Sequence, residues 1–469
     1  MANFTRKTLT LAAGLMLSVM SSNAQQLREG YIDAGKDISS EKFQFALQNW
    51  QNNHRLSKDD NFYISRVKPH VRFRNAATQV RDLTAENDKK LIAWIPVSDP
   101  TFNALPNGIF DSEVFSMWSY VTHYGNWTAP LGRIPAAFLD VAHKNGVGVS
   151  GVASIPNAGL GGDWLKMITA MGSADAENAA KFFRYYGING MGYNSEFYDS
   201  EGVTEDLRDF HADLVKAAEK NDPLFENFWY DGTNDGGSIT FDQGLGSHNK
   251  ETFGDGKHRR TSLFFNYNWN KAWLMDQSVK KAEDMGRDPL DLYCGVNMQG
   301  GEPRYTSWSL LPSRRLSIGL WGAHSNNMFW ESRGEKGSNP DVKQNTYLQR
   351  IERYFTGGTR NPANCPSIVD RHACNADNFA WHGMSTFMTA RSALSWNLSE
   401  EPFITYFNLG NGKFFNLEGK RQNSNSWYNV GMQDYLPTWR WWFASKLLGN
   451  KATDVPENGL DANFTWDDA

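Results

Sequence analysis

Eight short apolar, β-prone runs recur along the chain, at Leu91–Ser98, Tyr120–Gly125, Gly146–Pro156, Gly187–Phe197, Leu224–Asp231, Thr261–Trp269, Asp291–Met298 and Ser317–Ser325. Their starts lie 26 to 41 residues apart, room each time for a loop and a crossover helix. The stretches between them agree. Ile134–Asn145, Glu205–Lys220 and Lys271–Gly286 carry apolar residues at helical spacing, and the last ends in a Gly stop. This alternation predicts an α/β fold, a (β/α)8 TIM barrel spanning residues 91–400. Residues 25–90 read as an N-terminal segment covering the barrel. Beyond about residue 395 the pattern changes: Pro402–Gly419 reads as strands around Gly410-Asn-Gly412, a tight-turn signal. Residues 401–469 are therefore expected to form a β-rich extension, the start of an accessory β-sandwich, because the stretch after Phe443 is too short to bury a core of its own.

The first 24 residues follow a different pattern, with Arg6 and Lys7, an apolar run from Leu9 to Met20, and small residues ending at Ala24. That is the layout of a cleavable signal peptide, so a secreted or periplasmic location is expected, with no membrane span elsewhere. Net charge is -5, from 47 basic and 52 acidic residues, and Lys257-His-Arg-Arg260 is the longest basic block, so there is no electrostatic footprint for nucleic acid. Three cysteines add little chemistry. Cys365 and Cys374 stand close enough in a Pro- and Asn-rich loop to form a small disulfide in an oxidising compartment, and Cys294 in Leu292–Val296 reads as a buried, inert thiol. The 10 histidines show no paired ligand spacing, so neither a metal nor a cofactor is expected.

Aromatic residues change the picture. Eighteen Trp, 17 Tyr and 29 Phe make up 14% of the chain, and several sit beside polar groups, as in Trp229-Tyr230-Asp231, Asn266-Tyr267-Asn268-Trp269 and Phe329-Trp330-Glu331. Sugar rings have a polar rim and apolar C–H faces, which such aromatic surfaces match. Nearly every candidate strand also finishes in polar or aromatic residues, among them Ser98-Asp99, His123-Tyr124, Asn194 with Glu196, Asn266–Trp269, Asn297–Gln299 and His324–Asn327. The C-terminal strand ends of a TIM barrel are where its active site is built.

The fourth run closes in Asn194-Ser195-Glu196. Residues two apart on a strand face the same way, so a carboxamide and a carboxyl can meet one substrate. Glu196 can protonate a leaving oxygen while Asn194 orients an amide that belongs to the substrate, which implies an N-acetylated sugar. The bland alternative is a strand end capped by two polar residues.

The chain resembles glycoside hydrolase family 85, the endo-β-N-acetylglucosaminidases, over most of its length. Tyr120-Val-Thr-His-Tyr124 with Ala142-His-Lys-Asn-Gly-Val147 resembles the family's second strand and next helix. Gly187–Glu196 is similar to its Gly-rich fourth strand closing in Asn-x-Glu, and Trp229-Tyr-Asp-Gly232 to its Trp-Tyr-Asp element. Phe407–Gly412, Gln433–Arg440 and Leu460–Ala469 look like the segments that follow the barrel. The resemblance implies catalysis by Asn194, Glu196 and Tyr230. Two departures are Phe241, where a Trp is expected, and Ser195, in place of an apolar middle residue. A likeness to family 18 chitinases is weaker, because their fourth strand carries Asp where this chain has Asn194.

With one well-placed carboxyl group, hydrolysis between the two core GlcNAc units of an N-glycan would use the substrate's 2-acetamido oxygen as nucleophile, through an oxazoline intermediate and with retention, possible transfer to other sugars included. Asn194 would orient the acetamide, Glu196 would act as acid and then base, and Tyr230 would hydrogen-bond the acetamide or the oxazoline. Further substrate contacts are expected from Trp229, Asp231, Phe241, Asn266, Trp269, Asn297, Gln299, Trp330 and Glu331, although Glu331 could equally pair with Arg333 or Arg353. The partners expected are N-glycans or glycoproteins. Two alternatives stay open: an inverting or chitinase-like hydrolase using Asp99, Asp231 or Glu331 as a second carboxylate, and a non-catalytic carbohydrate-binding barrel.

Overall fold

The computed structural model describes residues 60–72, 89–96, 114–127, 134–155, 172–198, 202–298, 306–322, 340–360, 365–370, 380–388 and 408–434, with Leu47, Trp50 and a few isolated positions besides. Eight parallel strands close into a barrel in sequence order: β1 (Leu91–Pro96), β2 (His123–Trp127), β3 (Gly148–Ile155), β4 (Gly190–Ser195), β5 (Glu226–Tyr230), β6 (Ser262–Phe265), β7 (Leu292–Asn297) and β8 (Ser317–Trp321). β1 closes the ring by pairing with both β2 and β8, Ala93 standing opposite Tyr124 on one side and Leu320 on the other. Helices lie between strands, among them α1 (Ala136–Lys144), α2 (Ser173–Tyr186), α3 (Glu205–Ala218), α4 (Lys250–Phe253), α5 (Ala272–Asp284) and α6 (Pro340–Thr356). The start of α3 shows how the sequence sets them. The Thr204 hydroxyl accepts the Leu207 N–H at 3.3 Å, and Glu205 and Asp206 fill the first turn, where the helix dipole favours negative charge.

Strand alternation sorts the core into two layers. Leu91, Ala93, Met191, Tyr193, Trp229, Leu263, Phe265, Cys294 and Val296 belong to the large core outside the barrel wall, which the helices cover. Ile92, Trp94, Val152, Phe228, Tyr230, Phe264, Tyr293 and Trp321 form a separate cluster inside the barrel. The rings of Trp94 and Phe264 stack with centroids 4.5 Å apart. Glycine makes the space for them: a Cβ on Gly125 would lie 2.1 Å from Trp94, and one on Gly319 would lie 2.3 Å from Phe264.

The strand ends differ from the sequence expectation at β2. The apolar run from Tyr120 packs outside the barrel, with Trp118–Tyr120 in one turn of 3-10 helix, and Thr122 N–H opens the ladder by donating to the Leu91 carbonyl at 2.8 Å. His123 therefore begins its strand, at the end of the barrel away from the Asn194 terminus. There it lies, held neutral by burial, beside a buried ionic network. Lys90 bridges Glu226 (3.1 Å) and Asp291 (2.8 Å), Arg287 pairs with Asp291 (2.7 Å), and Glu226 also accepts from the hydroxyls of Ser262 and Tyr293.

Around the barrel, residues 60–72 fasten onto α1 and α2. Ser65 N–H donates to the Tyr186 carbonyl and His70 N–H to that of His143, at 3.0 and 2.9 Å. Beyond the barrel, β9 (Asn411–Gly412) pairs with β12 (Trp427–Tyr428), and β10 (Phe415–Leu417) with β11 (Lys420–Asn423), both antiparallel. Gln433 ties this region back, accepting from Trp118 Nε1 at 2.7 Å and donating to the Phe115 carbonyl. Cys294 is fully buried, and burial pushes its thiol pKa up. Cys365 lies beside Ser385 Oγ at 3.2 Å, while the Cys374 half of the expected disulfide lies outside the described residues. No helix among the described residues is long and apolar enough to cross a membrane.

Candidate active site

β4 alternates small and large residues, so Met191 and Tyr193 face the helices while Gly190, Gly192 and Asn194 face the barrel. The chain leaves the sheet just after Ser195, whose hydroxyl donates to the Tyr230 carbonyl at 2.7 Å and ties the ends of β4 and β5 together. Ser195 is fully buried in this role, so a hydroxyl rather than an apolar side chain suits the position. Asn194 and Glu196 are half-buried, and Asn194 Nδ2 donates to Glu196 Oε2 at 3.0 Å. A carboxylate only accepts, so the carboxamide oxygen of Asn194 is left for a donor on a substrate.

Tyr230 ends β5 on the inner face. Its hydroxyl donates to Asn266 Oδ1 at 2.9 Å, and its ring lies 6.0 Å from those of Phe241 and Tyr267. Burial pushes its pKa well up, with Tyr267 and the charges of Glu196 and Asp231 adding to the effect. Tyr267 is pushed up mainly by burial and further by Glu196, so both phenols keep their protons. Glu196, Tyr230 and Tyr267 thus converge closely enough to feel one another's charge.

Asp231 has a different role from the substrate contact expected of it. It is 5% exposed, and its carboxylate accepts backbone N–H groups from Asp242 (3.2 Å), Gln243 (2.6 Å) and Asn266 (3.5 Å), with Asn249 Nδ2 at 3.4 Å. Burial pushes its pKa up to about 8 against those donors, which lower it. These bonds pin a tight loop in which Phe241 (φ 46°) and Gln243 (φ 61°) both hold the left-handed conformation that side chains disfavour. Phe241 is held against the inner aromatic cluster as a result.

Two expected sugar-stacking residues are corrected. Trp229 is 1% exposed on the outer side of β5, against Tyr193 and His211, and its Nε1 donates to the Thr233 carbonyl at 2.9 Å. Trp269 is 2% exposed in the outer core, with Nε1 donating to the Gly295 carbonyl at 2.7 Å. Neither presents a ring face to the barrel mouth. Asn297 ends β7, half-buried, opposite Trp321 of β8. Asp99, Gln299, Trp330 and Glu331 lie outside the described residues. Tyr267 is the contributor that the sequence reading passed over. Strand parity assigns it outward, but β6 stops at Phe265, and the turn that follows brings its ring back over Tyr230.

A family model described as Glycosyl hydrolase family 85 matches residues 100–415. Curated relatives include the cytosolic endo-beta-N-acetylglucosaminidase of Gallus gallus, 24% identical over 341 residues, covering 69% of this chain and 39% of the relative. Cytosolic endo-beta-N-acetylglucosaminidase 2 of Arabidopsis thaliana is 22% identical over 354 residues, covering 71% and 43%. The chain thus spans less than half the length of these relatives. Among solved structures, the Spr0440 glycoside hydrolase domain, Endo-D from Streptococcus pneumoniae R6, shares the fold with a TM-score of 0.66 at 23% identity, over 82% of this chain and 59% of that one. The secreted or periplasmic location expected from residues 1–24 is corrected by the curated relatives. Both are described as cytosolic, which points away from export.

Proposed function

The chain belongs to glycosyl hydrolase family 85, and from that premise we propose that it is an endo-β-N-acetylglucosaminidase cutting the GlcNAc-β1,4-GlcNAc core of N-glycans and glycoproteins with retention. The observation that carries this reading is the 3.0 Å hydrogen bond from Asn194 Nδ2 to Glu196 Oε2 beside Tyr230. It leaves one acceptor, Asn194 Oδ1, for the N–H of a substrate acetamide.

In the first step the acetamide oxygen attacks the anomeric carbon, the bond to the leaving oxygen breaks, and that oxygen takes a proton from Glu196. Asn194 holds the acetamide N–H as positive charge spreads over the forming oxazolinium ring, and the Tyr230 hydroxyl, which faces Asn266 before substrate binds, turns its proton to the acetamide oxygen. In the second step the Glu196 carboxylate removes a proton from water, which attacks the same carbon and reopens the ring with the original configuration. A sugar hydroxyl in place of water gives transglycosylation.

The test is to treat an N-glycoprotein and weigh both products. One GlcNAc should remain on each asparagine, and the released glycan should first appear as the β anomer by NMR. Complete removal of the glycan, or first appearance of the α anomer, refutes the proposal.

A further inference from the structure

We propose that Asn266 is a positioning residue, acting on the reaction through the hydroxyl of Tyr230. That role presupposes the part of Tyr230 in the proposed reaction. Asn266 follows β6, and its Oδ1 accepts two hydrogen bonds, from the Tyr230 hydroxyl at 2.9 Å and from the backbone N–H of Tyr267 at 2.8 Å. A backbone N–H can only donate, so the Asn266 atom facing it must be the carboxamide oxygen, and the orientation of the amide is fixed by the fold. A carbonyl oxygen can only accept, so before substrate binds the proton of Tyr230 is directed to Asn266, and the phenol oxygen is held where that proton can turn to the acetamide.

The Tyr230 hydroxyl thus lies between Asn266, which accepts its proton at 2.9 Å, and the Tyr267 phenol. The setting is buried enough to push both phenol pKa values up. Asn266 is in turn held by the loop anchor, because its own N–H faces Asp231 Oδ2 at 3.5 Å. Without Asn266 the Tyr230 ring keeps its packing against Phe241, Phe264 and Tyr267. Its hydroxyl loses the acceptor that its proton faces at 2.9 Å.

A double-mutant cycle on the full chain tests this, with kcat and KM measured on an N-glycopeptide and folding checked by thermal melt. Tyr230→Phe should be impaired. Asn266→Ala should lower kcat about tenfold, the worth of one well-aligned hydrogen bond, with KM changing less. In the Tyr230→Phe background, Asn266→Ala should change kcat by less than about twofold, since no hydroxyl remains to be aligned. Asn266→Ser keeps an oxygen near the Tyr267 N–H but is too short to reach Tyr230. It should match the alanine variant and takes its place if that variant does not fold. Equal losses from Asn266→Ala in both backgrounds would overturn the proposal, because a purely structural residue behaves that way. Wild-type kcat in Tyr230→Phe alone would instead remove the role of Tyr230 on which the inference stands.

Discussion

Asn194 and Glu196 share one hydrogen bond, and that bond decides which atom of each is left for a substrate. The consequence can be separated experimentally. If Asn194 serves to make the acetamide a nucleophile, Asn194→Ala should hydrolyse natural glycan poorly, yet still transfer a preformed glycan oxazoline to a GlcNAc acceptor and let the product accumulate. Glu196→Gln lacks the base that activates the acceptor, so its transfer should fall by about 100 to 10,000-fold. Chromatographic yield over time measures both, and equal transfer by the two variants would contradict the division of roles. At this scale the meeting of Asn194 and Glu196 was legible, because parity along an extended segment puts residues two apart on one face. The aromatic partners were not, because a run such as Trp229-Tyr230-Asp231 holds an outward ring, an inward ring and a loop anchor side by side.

The element that matters most beyond the strands is the loop after β5, which exists in its observed form because Asp231 gathers three backbone N–H groups. Above pH 8, where Asp231 is ionised, Asp231→Asn keeps the shape but turns one acceptor into a donor facing N–H groups. Leaving buried donors unpaired costs about 1–3 kcal/mol. The variant should therefore melt several degrees lower, and with Phe241 and Gln243 free to leave their strained conformations, KM should rise more than kcat falls. An unchanged melting temperature and KM would show that the loop does not depend on Asp231. The sequence reading recovered all eight strands to within a few residues, since each is a short apolar run bounded by polar turns. It misplaced the beginning of β2, where the apolar stretch before His123 serves the outer core instead of the ladder.

For the whole molecule, buried ionisable groups predict an optimum in stability. Burial lowers His123 and His211 from 6.5 to about 3, so the unfolded chain takes up their protons first as pH falls. The stability they contribute is complete above 6.5 and is lost on acidification towards 3. Asp231, raised from 3.8 to about 8, works in the opposite sense, its contribution fading as pH rises through 8. Two histidines outweigh Asp231 between about 4 and 6.5, leaving a net slope of at most about 1.4 kcal/mol per pH unit in favour of higher pH, which the raised carboxyl of Asp222 reduces, and above that the raised aspartates oppose them alone. The melting temperature should peak near pH 6.5 and fall towards pH 4, where the lowered carboxyl groups of Glu226 and Asp291 begin to add to the loss. A flat profile from pH 4 to 6.5 would contradict this assignment. The sequence by itself determined the barrel, because apolar periodicity and loop spacing are local properties, and it brought Asn194 and Glu196 together, because residues two apart along an extended segment face one way. Only the tertiary structure decided that His123 sits at the far end from Asn194, that Trp229 and Trp269 are walls rather than platforms, and that Tyr267 turns back over Tyr230. Each of those depends on where a strand begins or ends against its neighbours, which is set by packing between segments distant in the chain and not by any pattern within one of them.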